Sequence, residues 1–183
     1  LTFGDLRLAF LPTVTGWQFA PLGSYEEANI RYHKIEVRYD MRKDTYALNF
    51  IGGYQSYEIE NTVTKQSEDI TSYVLGARAK ANFGPAYAGL ALTWRQNGNN
   101  YGAWTVSGKE GAVLEGTNIK DASAFGVVAA LGWKINDMFT LEGSYAMLDS
   151  DQDTALDNDD EAVAWGVIAK ITMAPGVYII PEI

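Results

Sequence analysis

Apolar and polar side chains alternate with a period of two along most of this chain, which is the pattern of β-strands that present one apolar face. From residue 34 to residue 40, for example, Ile35, Val37 and Tyr39 alternate with charged side chains. No segment shows the 3.6-residue period of an amphipathic helix. The pattern predicts one all-β domain over residues 1–183 with about nine strands, near residues 5–10, 30–40, 46–55, 73–83, 88–95, 125–134, 139–147, 163–172 and 177–183.

The connections between these strands alternate between short and long. The four tight turns are at residues 40–44, 84–85, 136–138 and 173–176. The four long, polar connections are at residues 11–27, 58–70, 96–121 and 149–161. In an up-and-down antiparallel sheet, this alternation places all turns at one end and all loops at the other. Transmembrane β-barrels sort their connections in this way, whereas Greek-key sandwiches usually do not.

Aromatic side chains on the predicted apolar face lie at the strand ends, and Val, Leu, Ile, Ala and Gly fill the strand centres. The turn-end group is Tyr39, Tyr46, Phe83, Trp133 and Phe139, and the loop-end group is Tyr54, Tyr73, Trp94, Phe125, Tyr145 and Trp165. Two such girdles around an aliphatic band match the two membrane–water interfaces of a barrel. The alternative is a soluble β-barrel that carries an apolar ligand, but a soluble core is expected to bury its large rings centrally.

Composition narrows the class further. The chain has 183 residues, of which 47% are apolar, no cysteine and a formal net charge of −9. It has no apolar run of about 18 residues, the length typical of a membrane-spanning helix. The missing cysteine excludes a disulfide framework, and the negative charge argues against a nucleic-acid partner. Seven of the 23 acidic residues lie in residues 149–161, so the remaining chain has 16 acidic against 14 basic residues.

Two strands carry a resemblance to a known family. The runs Phe125–Lys134 (FGVVAALGWK) and Phe139–Met147 (FTLEGSYAM) resemble strands of Gram-negative outer-membrane porins. The resemblance implies a water-filled channel in the bacterial outer membrane, surrounded by lipid and lipopolysaccharide, through which small hydrophilic solutes and ions pass by diffusion. Such channels are commonly homotrimers of barrels with about 16–18 strands.

Two departures from the porin pattern affect the expected size. Nine strands is an odd number for a single-chain bacterial barrel, and the chain ends at Ile183 without the terminal aromatic residue that such proteins have. We therefore expect this chain to be part of a larger barrel. The alternative is a complete outer-membrane barrel of about eight to ten strands, whose packed lumen would not conduct and whose role would be structural or adhesive.

The strand positions opposite the apolar face are expected to line the lumen. The predicted pore-lining residues are Arg7, Lys34, Glu36, Arg38, Arg78, Lys80, Arg95, Lys134, Glu142 and Lys170. The strands also carry the acidic residues Asp5, Asp40 and Glu182. Basic side chains outnumber acidic ones, and basic side chains around a pore favour anions. The pattern predicts a mildly anion-preferring passage; the alternative is a wall of charges that is simply solvated.

The connection at residues 96–121 is the longest in the chain and contains five glycines together with Tyr101 and Trp104. A connection of this length without secondary structure of its own is usually functional or disordered. In porins, one long loop folds into the barrel and narrows it, and the resemblance makes this connection the candidate. The alternative is a loop that packs outside the barrel.

The acidic connection at residues 149–161 has a spacing similar to that of a calcium-binding loop. Its candidate ligands are Asp149, Asp151, Asp153 and Asp157. However, Thr154 occupies the sixth position, where an EF-hand has glycine, and Asp160 replaces the glutamate at the twelfth. We expect no cofactor. The connection is either an exposed, solvated loop or, as the alternative, a weak site for a divalent cation.

Catalysis has little support in the sequence. His33 is the only histidine, and no nucleophile stands at a fixed spacing from it. No phosphate-binding loop, metal-ligand cluster or nucleophile elbow is present. We therefore expect a protein that is not an enzyme.

Overall fold

The computed structural model describes residues 4–13, 25–61, 63–103, 109–115, 118–155 and 159–183, apart from the side chains of residues 25–27. One antiparallel sheet holds nine strands in the order β1-β2-β3-β4-β5-β8-β9-β10-β11. They are β1 (Asp5–Leu11), β2 (Tyr25–Arg42), β3 (Tyr46–Asn61), β4 (Ser67–Phe83), β5 (Ala86–Gln96), β8 (Ala122–Lys134), β9 (Phe139–Gln152), β10 (Asp160–Ala174) and β11 (Val177–Ile179). The predicted all-β chain with a nine-stranded antiparallel sheet is confirmed.

Between β5 and β8 the chain forms three short elements that the alternation did not predict. These are α1 (Gly98–Tyr101), β6 (Val113–Glu115) and β7 (Asn118–Lys120), of which β6 and β7 pair as a separate hairpin. Among the described residues, no helix has the length and apolarity needed to cross a membrane.

Each strand of the large sheet pairs with its neighbour along the chain, once the β6–β7 hairpin is set aside. Glycine provides two of the tight turns, because Gly84 (φ 64°) and Gly176 (φ 80°) adopt the left-handed conformation that a Cβ disfavours. The described strands form an open sheet with β1 and β11 at its edges.

The connection predicted at residues 58–70 is wrong in extent, because most of it is strand. β3 continues to Asn61 and β4 begins at Ser67. Glu58 and Glu60 gave this segment its polar character, but they alternate with buried Tyr57 and Ile59. A partly polar strand extension was therefore mistaken for a loop.

A small hydrophobic core explains why the sheet extends at this end. Tyr57, Ile59 and Ile70 are at most 1% exposed and form its centre. The partly buried residues packed against them come from β2, the β6–β7 hairpin and the residue before that hairpin, namely Ala28, Ala112, Leu114 and Ile119. The core thus joins the loop end of the sheet to the long connection between β5 and β8.

Candidate functional site

The sheet has one charged face and one apolar face. The Cα register places all the predicted lumen residues on a single side, which we call the polar face: Arg7, Lys34, Glu36, Arg38, Arg78, Lys80, Arg95, Lys134, Glu142 and Lys170. The side chains of the two predicted aromatic groups occupy the other side, the apolar face.

Aromatic rings form a continuous row across four strands at the loop end of the apolar face. Tyr32, Tyr54, Tyr73 and Trp94 follow one another on β2 to β5, with successive ring centroids 6.3, 5.4 and 6.5 Å apart. Tyr32 was not predicted on this face, because its even position matches the polar residues of β2. Register shifts around Tyr32, between Ile30 and Ile35, move its side chain to the apolar face.

Charge on the polar face is concentrated on β1 to β5. Lys34 lies 3.0 Å from Glu36, and Arg38 lies 2.7 Å from Asp40. On β8 to β10 the same face carries mostly small or apolar residues, namely Ala124, Gly126, Val128, Ala130, Ser144, Ala146, Ala164 and Gly166. One side of the polar face is therefore strongly charged and the other nearly neutral.

Lys80 and Glu142 are linked across the polar face by Tyr87. The Lys80 Nζ lies 4.1 Å from the centroid of the Tyr87 ring, and the Tyr87 hydroxyl donates a hydrogen bond to Glu142. The ring passes over Gly132, where any Cβ would overlap it. The predicted lumen residue Glu142 thus accepts a hydrogen bond from a neighbouring phenol.

The long connection between β5 and β8 lies against the polar face, and we call its residues 97–103 and 109–115 the crossing segment. Two buried asparagines anchor it. Asn97 donates hydrogen bonds to the Thr71 carbonyl (2.9 Å) and to Asp121 (2.7 Å), and Asn100 donates one to the Tyr57 hydroxyl (3.1 Å). Burial raises the pKa of Tyr57 to about 12, so this phenol stays neutral at physiological pH.

Tyr101 carries the crossing segment furthest across the sheet. Its hydroxyl donates a hydrogen bond to Glu36 (2.9 Å), 65 positions earlier in the sequence. Lys34 donates a hydrogen bond to the Tyr101 carbonyl oxygen (3.2 Å) and lies 3.8 Å from the ring centroid. The ring rests on Gly53, where a Cβ would overlap the phenol. Gly53 follows Gly52, and a glycine inside a strand is the sequence signal for such a close approach.

Arg95 on β5 forms an ion pair with Glu110 of the crossing segment and is covered by that segment. Its guanidinium lies 3.0 Å from the Glu110 carboxylate, and the two side chains are 11% and 0% exposed. Arg95 is thus on the predicted face, where the crossing segment covers it. Its pore-lining role stays a prediction. Parity along a strand assigns a side chain to a face, but it does not show what covers that face.

Two cavities follow the polar face from Tyr101 towards the turn end. The first, about 370 Å³, is lined by Tyr101, Glu36 and Arg7 among others. The second, about 350 Å³, is lined by Asp40, Asn49 and Arg78 among others. Arg38 borders both cavities, so they are neighbours along β2. Tyr101 thus borders the first of two neighbouring clefts on the polar face.

The predicted calcium ligands are not brought together among the described residues. Asp149 and Asp151 lie within β9, and Asp153 follows its end. Asp157 lies outside the described residues, as does Trp104. Within the ranges that the structure describes, no group of three or more acidic or histidine side chains could hold a metal ion.

No protein-family model, curated protein or solved structure matches this chain.

Proposed function

We propose that this sheet forms the wall of a channel in the bacterial outer membrane, with lipid against the apolar face and water against the polar face. One observation carries the proposal. Large apolar side chains are exposed along the whole apolar face, for example Leu8 (61%), Leu131 (70%) and Trp165 (73%). Water-soluble monomers rarely expose contiguous apolar patches beyond a few hundred Å², whereas a lipid-facing barrel wall needs such a surface.

The polar face supports passage of small hydrophilic solutes by passive diffusion. It carries paired and unpaired charges next to two open clefts, and Tyr101 narrows the space at the loop end. Basic side chains are in excess on β1 to β5, which favours anions over cations. Transport of this kind needs no chemistry from the protein.

The resemblance to porins adds three predictions about the assembled protein. A barrel with more strands than the nine of this sheet, assembly as a trimer and contact with lipopolysaccharide stay predictions. The prediction of further strands has a physical basis, because an open edge strand exposes backbone groups that cannot be left unpaired in hydrocarbon. Both β1 and β11 are edges among the described strands.

A second candidate function is a packed outer-membrane barrel with a structural or adhesive role. The burial of the crossing segment favours it, because Asn97, Asn100 and Glu110 are at most 1% exposed against the polar face. A segment fixed in this way would fill a small lumen, and little space would remain for solutes.

Conductance across a planar lipid bilayer distinguishes the two functions. If the chain forms a channel, purified protein should produce stepwise openings, and a salt gradient should give a reversal potential shifted towards that of the anion. Bilayers that receive the same detergent without protein serve as the control. Persistent silence of correctly inserted protein would contradict the channel and favour the packed barrel.

A further inference from the structure

The cleft nearest the turn end holds several cations and little opposing charge. We call it the basic cleft and define it by Arg38, Asp40, Arg42, Asn49, Arg78 and Lys80. Four of these side chains are basic and one is acidic, which gives a formal charge of +3. Such a concentration of one sign in a cleft raises the local concentration of ions of the opposite sign.

The single acid of the basic cleft is already engaged. The Asp40 carboxylate accepts hydrogen bonds from Arg38 at 2.7 and 3.0 Å. It also accepts one from the Asn49 side-chain amide at 2.6 Å. Asp40 therefore neutralises Arg38 and leaves the other cations of the cleft uncompensated.

Arg42, Arg78 and Lys80 have no carboxylate partner within the described ranges. Arg42 and Arg78 are exposed, and the Lys80 ammonium lies over the Tyr87 ring. Both guanidinium groups lie beside the Asp40 carboxylate, whose hydrogen bonds go to Arg38 and Asn49 instead. Their donors can be satisfied only by solvent or by a ligand that enters the cleft.

The strand register places these cations around an open space. Arg42 and Lys80 both pair with Ala47, one from each neighbouring strand. Arg78 pairs with Asn49, two residues further along β3. The short Ala47 side chain leaves room between the long basic ones, and the cleft measures about 350 Å³. This space accommodates a polyatomic anion with part of its hydration shell.

We infer that the basic cleft binds small oxyanions that carry two negative charges, with phosphate as the representative. Guanidinium groups form paired parallel hydrogen bonds with two oxygens of one phosphate or carboxylate, whereas a spherical ion such as chloride offers no such pair. The inference deepens the proposed function, because it names the class of solute that the polar face of the channel would retain.

The test is a calorimetric titration of the full chain in detergent micelles with inorganic phosphate, at mildly alkaline pH and low ionic strength, where charge interactions are least screened. We expect saturable binding. Arg78→Gln should weaken the binding about tenfold or more, which equals about 1.4 kcal/mol. Arg78→Lys keeps the positive charge but loses the paired N–H donors of the guanidinium. Its phosphate affinity should therefore lie between those of the wild type and Arg78→Gln. Arg31→Gln is the matched control, because Arg31 pairs with Glu58 and Asp69 away from the cleft.

Two results would overturn the inference: equal phosphate affinity in the wild type and Arg78→Gln, or an equal loss in Arg31→Gln. The titration needs no ion flow, so it separates the site from the channel. Conductance without phosphate binding would contradict the anion site and support the channel. Phosphate binding without conductance would support the anion site and contradict the channel.

Discussion

Replacing Glu110 with glutamine should lower the free energy of unfolding by about 3–5 kcal/mol, because it leaves the Arg95 charge buried without its carboxylate. The Arg95 guanidinium lies 3.0 Å from Glu110, and neither side chain has much access to water. A buried ion that loses its partner retains its full desolvation cost. The contact of the crossing segment with the polar face should therefore weaken, although Asn97, Asn100 and Tyr101 still anchor it.

Denaturant unfolding of detergent-refolded protein measures this effect, with Asp5→Asn as the control. Asp5 also pairs with an arginine, Arg7, but both side chains are more than half exposed. An exposed pair contributes about 0–1 kcal/mol, so this control should be nearly neutral. Replacing Arg95 and Glu110 together with methionine and leucine should recover much of the loss, because no unpaired charge remains. Equal costs for Glu110→Gln and Asp5→Asn would contradict the buried pair.

Gly53→Ala should push Tyr101 away from the polar face. A Cβ at Gly53 would overlap the Tyr101 hydroxyl and its ring carbon, so either the ring or the strand has to move. Overpacking of this kind costs about 1–3 kcal/mol. Because Tyr101 also bonds Glu36 and Lys34, its displacement should release that end of the crossing segment and widen the space at the loop end.

Two readouts test the displacement: cleavage by trypsin after Lys109, and single-channel conductance. Both should increase in Gly53→Ala. Gly89→Ala is the matched control, because Gly89 is on the same face and its added Cβ meets nothing closer than 3.9 Å. Adding Tyr101→Ala to Gly53→Ala should remove the overlap, so the two substitutions should not be additive in stability. If the two glycine variants behave alike, Tyr101 does not rest on Gly53.

The sequence was sufficient to predict most of the strands and their two faces, because apolar and polar residues alternate with a period of two. It failed where backbone irregularity changes that period. Register shifts around Tyr32 move its ring to the apolar face. No nearby glycine or proline indicates these shifts in the sequence. The extent of β3 was underestimated for another reason. Glu58 and Glu60, which gave the segment its polar character, lie partly buried in ion pairs with Arg31 and Lys65. They alternate with the buried Tyr57 and Ile59.

The crossing segment could be recognised from the sequence only as a candidate. Its length and glycines singled it out, and the resemblance to porins suggested that it folds inwards. Its contacts, however, join residues far apart in the chain, such as Tyr101 and Glu36, or Asn97 and Thr71. Nothing local in the sequence specifies such pairs, apart from the glycine at position 53 that makes room for the ring.

The direct test of the two-faced wall is cysteine scanning of β5 in lipid vesicles, which the chain permits because it has no native cysteine. Single cysteines are introduced from Gly89 to Thr93 and exposed to a charged, membrane-impermeant thiol reagent. The polar-face positions 89, 91 and 93 should react, and the lipid-facing positions Leu90 and Leu92 should stay unlabelled until detergent is added. Labelling at Leu90 and Leu92 together with protection of Ala91 would show that the apolar face does not meet lipid.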